Sequence, residues 1–380
     1  MMSIGSRGEL TIAVAGRYVR ARRAEKGRIL DEFIENTGYN RKYAIHLLKH
    51  PPRRRRAKKR TRGCRYDVKV QRALVRVWEA AAGICSKRLV PFLPELVSVL
   101  ERHGHLELDE RTRARLLSLS PATADRLLAK ERRRLPKHGL GTTKPGSLLK
   151  HQIQVRTYRD WDDAVPGFVE ADLVGHCGDS TRGEYLHPLV LTDIATGWTE
   201  IVALPNRSQQ TVSGAIDIAR RRFPFPLLGL DVDNGSEFLN HNLQRYCTQH
   251  KINLSRCRAY NKNDQCYVEQ KNWSVVRKIV NYERYEGDEA CRRLLALYQP
   301  LRLYVNFFQP SMKLLSKERS GAHVTKHYDK AQTPYRRARQ LAPLPPALRR
   351  QLETLYLSLD PLELLGRIRA RRDEFATCAK

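Results

Sequence analysis

Between Gly167 and Cys257 the chain runs as short apolar stretches broken by turn signals: GFVEADLV, EYLHPLVLTD, GWTEIVALP, then LLGLDVD and INLSRC. Their length and punctuation suit strands. Ala195-Thr196-Gly197 reads as the hairpin turn between the second and third. SQQTVSGAIDIARRRF and SEFLNHNLQRYCTQHK, which separate the later strands, read as helices. A hairpin start followed by alternating helices and strands predicts a mixed sheet covered by helices, an α/β architecture.

Three carboxylates stand in different settings within this pattern. Asp172 lies inside the first strand, with Phe168, Val169, Leu173 and Val174 around it and no Lys or Arg between Trp161 and Ser180. Asp233 follows Leu227, Leu228, Leu230 and Val232 and precedes the turn NGSEF, where Gly235 is read as supplying a positive φ. Glu269 lies in NDQCYVEQKNWSVVRK, which reads as a helix. A carboxylate in an apolar run is expensive to bury unless it is paired or binds a cation. Acids gathered from several elements make an all-oxygen site suited to Mg²⁺ or Mn²⁺. Two such ions about 3.5–4 Å apart can clamp the attacking and leaving oxygens of a phosphodiester. Glu170 and Asp231 alternate with Asp172 and Asp233 and share their faces, so periodicity does not choose among them. Glu237 and Asp264 are further rivals.

Charge points the same way. The net charge is +30, and residues 1–150 carry +22 of it. A basic half joined to a half with buried acids implies a polyanionic partner. No apolar run reaches the length of a membrane span, and the eight cysteines form no C-x-x-C pair. The expectation is a cytoplasmic, nucleoid-associated protein with reduced thiols and no membrane partner.

The basic half divides further. Ile29, Leu30, Phe33 and Ile34, then Gly38, then the run from Asn40 to Leu48 make a helix-turn-helix. In that reading Tyr39, Asn40, Arg41 and Lys42 enter the major groove. The arm that follows, with Arg53, Arg54, Arg55, Arg56, Lys58, Lys59 and Arg60, would bind phosphates without reading much sequence. Residues 63–145 read as a second helical domain. Ser120-Pro121 there opens a helix whose Thr123 and Arg126 stand at the reading end. The boundaries expected are 1–62, 63–145, 146–330 for the core, and a helical tail at 331–380.

Sixty residues separate Asp172 from Asp233, and 35 separate Asp233 from Glu269. With DNGSEF at the second acid and YNKNDQCYVEQKN before the third, the stretch from about 145 to 340 resembles the retroviral-integrase and DDE transposase superfamily. The resemblance implies a ribonuclease-H-like core behind an all-α DNA-binding region. It implies Asp172, Asp233 and Glu269 as catalytic metal ligands for two Mg²⁺ or Mn²⁺ ions, with Asp172 bridging. It also implies metal-dependent cleavage and strand transfer at the ends of a mobile element, by a homo-oligomer on double-stranded DNA. Whether an ATPase helper is needed stays open. A nuclease on the same fold and a repressor derived from a transposase are the alternatives. Lys271, Arg277 and Lys278 are candidate backbone contacts. Integrase-like enzymes often place basic residues four and seven after the Glu, whereas this chain has Trp273 and Val276 there. His176 is read as a loop hydrogen-bonder, or else a group facing the reacting phosphate. Lys313, Lys317 and Arg319 are weaker phosphate candidates, with a solvated face as the alternative.

Overall fold

A computed structural model describes residues 2–51, 66–134, 165–233, 235, 237, 238, 240–256 and 265–380. The chain divides into two compact units, Met1–Arg65 and Tyr66–Lys380.

The first unit is three helices, α1 (Ile4–Arg20), α2 (Arg23–Thr37) and α3 (Arg41–Lys49). Its core is small: Tyr18, Ile29, Leu30, Phe33, Ala44 and Leu48. Gly38 ends α2 in the left-handed region at φ 70°, where a side chain would be strained. Asn40 then caps α3, its side chain accepting from the Lys42 N–H at 3.0 Å. Helix, glycine turn and basic helix follow one another as the spacing predicts.

The second unit opens with α4 (Val68–Ala80), α5 (Ser86–Arg102), α6 (Glu110–Leu117) and α7 (Pro121–Arg134). Pro91 and Pro94 lie inside α5. Then comes a five-stranded sheet in the order β3-β2-β1-β4-β5. Its strands are β1 (Phe168–Leu173), β2 (Leu189–Asp193), β3 (Thr199–Val202), β4 (Gly229–Val232) and β5 (Asn253–Arg256). β1 and β3 flank β2 antiparallel, while β1–β4 and β4–β5 are parallel. This is the mixed α/β, ribonuclease-H-like architecture expected, with helical structure before it. α8 (Gln209–Arg220) and α9 (His241–Gln249) make the crossovers. β2 begins five residues later than its apolar run, because Pro188 has no N–H for a ladder.

The Ala195–Gly197 turn forms as expected: Asp193 accepts from the Thr196 N–H and hydroxyl, and Gly197 takes φ 74°. Asp193 also accepts from the Gly167 N–H at 2.8 Å, which fixes where β1 starts. The helix expected around Glu269 is interrupted. α10 (Cys266–Lys271) passes into a π-helix over Asn272–Arg277, then α11 (Lys278–Val280). α12 (Gly287–Phe308) crosses the sheet, and its Tyr304 hydroxyl donates to the Ala80 carbonyl of α4 at 2.9 Å. The chain continues as a hairpin, β6 (Leu314–Ser320) and β7 (His323–Tyr328), which the sequence pattern did not announce. It closes with α13 (Pro334–Leu341), α14 (Pro346–Ser358) and α15 (Pro361–Ala376).

Candidate active site

The register of the two central strands sets the site. β1 and β4 pair in parallel up to Ala171 opposite Val232. Asp172 and Asp233 are the next residue on each, so they stand side by side at the carboxyl end of the sheet, where ligand sites of open α/β sheets gather. Asp172 Oδ1 accepts from the Leu173 N–H at 2.8 Å, and Oδ2 accepts from Asn272 Nδ2 at 2.7 Å. Its pKa is raised to about 6, first by burial, then by the charges of Asp233 and Glu269. Asp172 therefore feels both other acids. Asp233 is also raised, by burial and by the Glu237 carboxylate, and its Oδ1 accepts from the Gly235 N–H at 3.0 Å. Among the described residues no three His, Cys, Asp or Glu side chains are drawn into a tight ligand cluster.

The rival acids have different partners. Glu170 pairs with Asp231 two residues below the Asp172–Asp233 end. It is fully buried, and its Oε2 accepts from the N–H groups of Tyr267 and Val268 at 2.9 and 2.8 Å. That places a carboxylate on the first turn of α10, where the helix dipole favours it, and ties β1 to the helix carrying Glu269. Asp231 is buried, and its Oδ1 accepts from Ser255 Oγ at 2.5 Å. Both lie under the site rather than in it. Glu237 lies beside Asp233, with Arg207 at 4.0 Å. Gly235 does not take the positive φ the sequence suggested, and the Glu237 carboxyl lies close over it. It is absent from the positive-φ glycines, and a Cβ there would stand 2.6 Å from the Glu237 carboxyl. Asp264 lies outside the described residues.

Asn272 is the residue whose role the sequence did not reveal. Besides bonding Asp172, its Oδ1 is buried without a hydrogen-bond partner among the described residues. His176 has neither role expected of it. It is fully buried edge-to-face on Tyr285, at 5.6 Å, with no hydrogen bond to either ring nitrogen among the described residues. Burial and the nearby Arg277 push its pKa down to about 3, so it is a neutral core residue.

The basic candidates on this helix divide. Lys271 is half-buried, its pKa lowered to about 8 by burial and then by Arg88. Arg277 donates to the Gly175 carbonyl at 2.6 Å and lies 4.5 Å over the Tyr282 ring. Lys278 is exposed, and Trp273 is 61% exposed. In the first unit, Tyr39 packs on Phe33 and Tyr43, Asn40 caps α3, and Arg41 bonds Asp31 at 2.5 Å, while Lys42 is exposed. In α7, Arg126 is exposed and donates to Thr123 Oγ1 at 3.1 Å. Arg53 to Arg56 and Lys58 to Arg60 lie outside the described residues.

The mixed sheet and its helices are those of an integrase/transposase-type core, and an integrase core domain matches residues 162–262. The chain belongs to one family with the uncharacterized protein y4rM of Sinorhizobium fredii (strain NBRC 101917 / NGR234). The two are 46% identical over 329 residues, 86% of this chain and 93% of that protein. Among solved structures, the catalytic core domain of BIV integrase is 19% identical, with 45% of this chain and 91% of that chain covered, at a TM-score of 0.31. No helix among the described residues is long and apolar enough to cross a membrane.

Proposed function

We propose that the chain is a transposase that cuts and joins DNA at the ends of its own mobile element. Asp172, Asp233 and Glu269 would hold the Mg²⁺ or Mn²⁺ ions this chemistry uses. The observation that carries this reading is the coupling of Asp172 to both other acids. Asp172 and Asp233 are half-buried and Glu269 is exposed; the repulsion Asp172 feels from the other two would be relieved by cations, and an all-oxygen set suits these ions. Such ions, when bound, activate an attacking hydroxyl and stabilise the leaving 3′-oxygen of a phosphodiester.

The chain's own groups prepare the site. Asn272 holds Asp172 by one oxygen, and its buried Oδ1 is available to accept from a water there. Glu170 fixes the start of α10 and so the reach of Glu269. The helical first unit and the basic arm hold double-stranded DNA, and the active form is a homo-oligomer on that DNA inside the cell.

The test is cleavage of element-end DNA. Asp172→Asn, Asp233→Asn and Glu269→Gln should each lower it by several orders of magnitude, since the ions supply most of the charge stabilisation. Chelation should abolish it. Asp231→Asn should retain activity. Robust cutting in excess chelator, or normal cutting by all the variants, would sink the reading.

A further inference from the structure

The hairpin of β6 and β7 forms a sheet of its own, separate from the five-stranded one, and every residue of β6 is exposed. A two-stranded hairpin with no buried face is marginal alone. Its base, however, is firmly pinned. The Lys313 N–H donates to Asp329 Oδ1 at 2.6 Å, and Arg337 donates to Asp329 Oδ2 at 2.6 Å and to the Ser311 carbonyl at 2.9 Å. The Lys313 ammonium donates to the carbonyls of Ile194 and Ala195, in the β2–β3 turn. The hairpin is thus presented from the catalytic sheet, while nothing among the described residues buries it.

Its register sorts the side chains. Directly opposed residues of an antiparallel pair share a face, and faces alternate along each strand. Lys317 stands opposite Lys326, and Arg319 opposite Val324. The other face carries Ser316, Glu318 and Thr325, with His327 3.7 Å from Glu318. One face is therefore cationic with no acid on it. Like charges directly opposite each other destabilise a hairpin, so a polyanion lying on this face would relieve a repulsion built into the fold. Seven residues at about 3.3 Å each span roughly 23 Å. A two-stranded ribbon also fits the major groove of duplex DNA, about 12 Å wide.

We infer that this hairpin is a DNA-contacting ribbon whose Lys317, Arg319 and Lys326 face lies on the phosphate backbone. The inference rests on the DNA-processing reading and adds a second contact surface, on the catalytic unit itself. Neutralising a phosphate releases counterions, so each such lysine adds about 0.9 to the slope of log affinity against log salt.

The experiment measures binding of the full-length chain to a labelled duplex in chelator, by fluorescence anisotropy, between 50 and 200 mM salt. Lys317→Gln with Lys326→Gln should reduce the slope by about 1.8, so wild type loses about twelve-fold more affinity over that range than the variant does. Lys317→Arg with Lys326→Arg should keep the wild-type slope. Circular dichroism checks that both variants fold. An unchanged slope in the Gln variant overturns the ribbon while leaving the transposase reading in place. An unchanged slope with an altered oligomeric state, read by sedimentation velocity, makes the hairpin a contact between copies and also overturns it. If the wild type binds no duplex at all, the functional reading itself fails and takes the ribbon with it.

Discussion

Replacing Asp172 with Asn separates the electrostatics of the site from its chemistry. Burial and the neighbouring acids push the Asp172 carboxyl up to about 6, from an ordinary aspartate value of 3.8. Its folded pKa is raised, so the stability present below pH 3.8 is lost as pH rises through 6. Integrating that shift, the acid costs the fold little at pH 4 and about 3 kcal/mol at pH 8. Asparagine removes this penalty but presents one acceptor oxygen where the carboxylate presents two. Those two now serve the Leu173 N–H and Asn272 Nδ2, so one bond is lost, at about 1–1.5 kcal/mol. The variant should therefore be slightly less stable than wild type at pH 4, and more stable by about 2 kcal/mol at pH 8. Urea unfolding in chelator at both pH values reads this change of sign, and other titrating groups cancel in the difference. Added Mg²⁺ should stabilise wild type at pH 8 and the variant far less. A difference between the two proteins that does not move with pH would refute the argument that like charges and burial set Asp172.

Other perturbations follow from the same geometry. Glu170→Ala leaves two buried N–H groups of α10 unpaired and should destabilise by about 3–5 kcal/mol, whereas Glu170→Gln keeps an acceptor oxygen and should cost about 1–2 kcal/mol; equal losses in urea unfolding would remove its role as a charged helix cap. Asn272→Leu should raise the Mg²⁺ concentration needed for half-maximal cleavage while residues 1–65 still bind DNA, and an unaltered metal dependence would show that its bond to Asp172 is incidental. Arg302 donates to the fully buried Glu200 at 2.6 and 2.9 Å, so Arg302→Met should cost about 3–5 kcal/mol by stranding that charge, which thermal unfolding would detect. Residues 1–65, a compact unit by themselves, should bind DNA with a steep loss of affinity as salt rises; salt-insensitive binding would detach that unit from the phosphate backbone.

What could be read from the sequence follows from burial. The strands of the central sheet announce themselves because both faces are covered, giving continuous apolar runs such as LVL in β2. Asp172 and Asp233 stand out because they interrupt such runs. The choice between Asp233 and Asp231 could not be made from alternation, since both share a face. Their partners differ: Ser255 arrives from β5 to bond Asp231, while Asp233 accepts from the Gly235 N–H. The role of Glu170 depends on N–H groups 97 and 98 residues along the chain. His176 was misjudged because Tyr285, which buries it, lies on a distant loop. The β6–β7 hairpin escaped notice for the opposite reason. With no buried face its residues show no regular alternation of apolar and polar, and only Gly321, at φ 60°, hints at the turn.

The π-helix after Glu269 changes how positions along this segment are to be counted. Six residues, Asn272 to Arg277, wind with the wider i to i+5 bond. One residue is in effect inserted relative to an α-helix, and everything beyond it is turned back by about 100°. Arg277, eight residues past Glu269, therefore occupies the azimuth that the seventh residue would hold on an unbroken helix. At that azimuth its guanidinium meets the Gly175 carbonyl and the Tyr282 ring. Deleting one residue within 272–277 would restore α-helical winding and swing Lys278 into the place Arg277 holds against the Gly175 carbonyl.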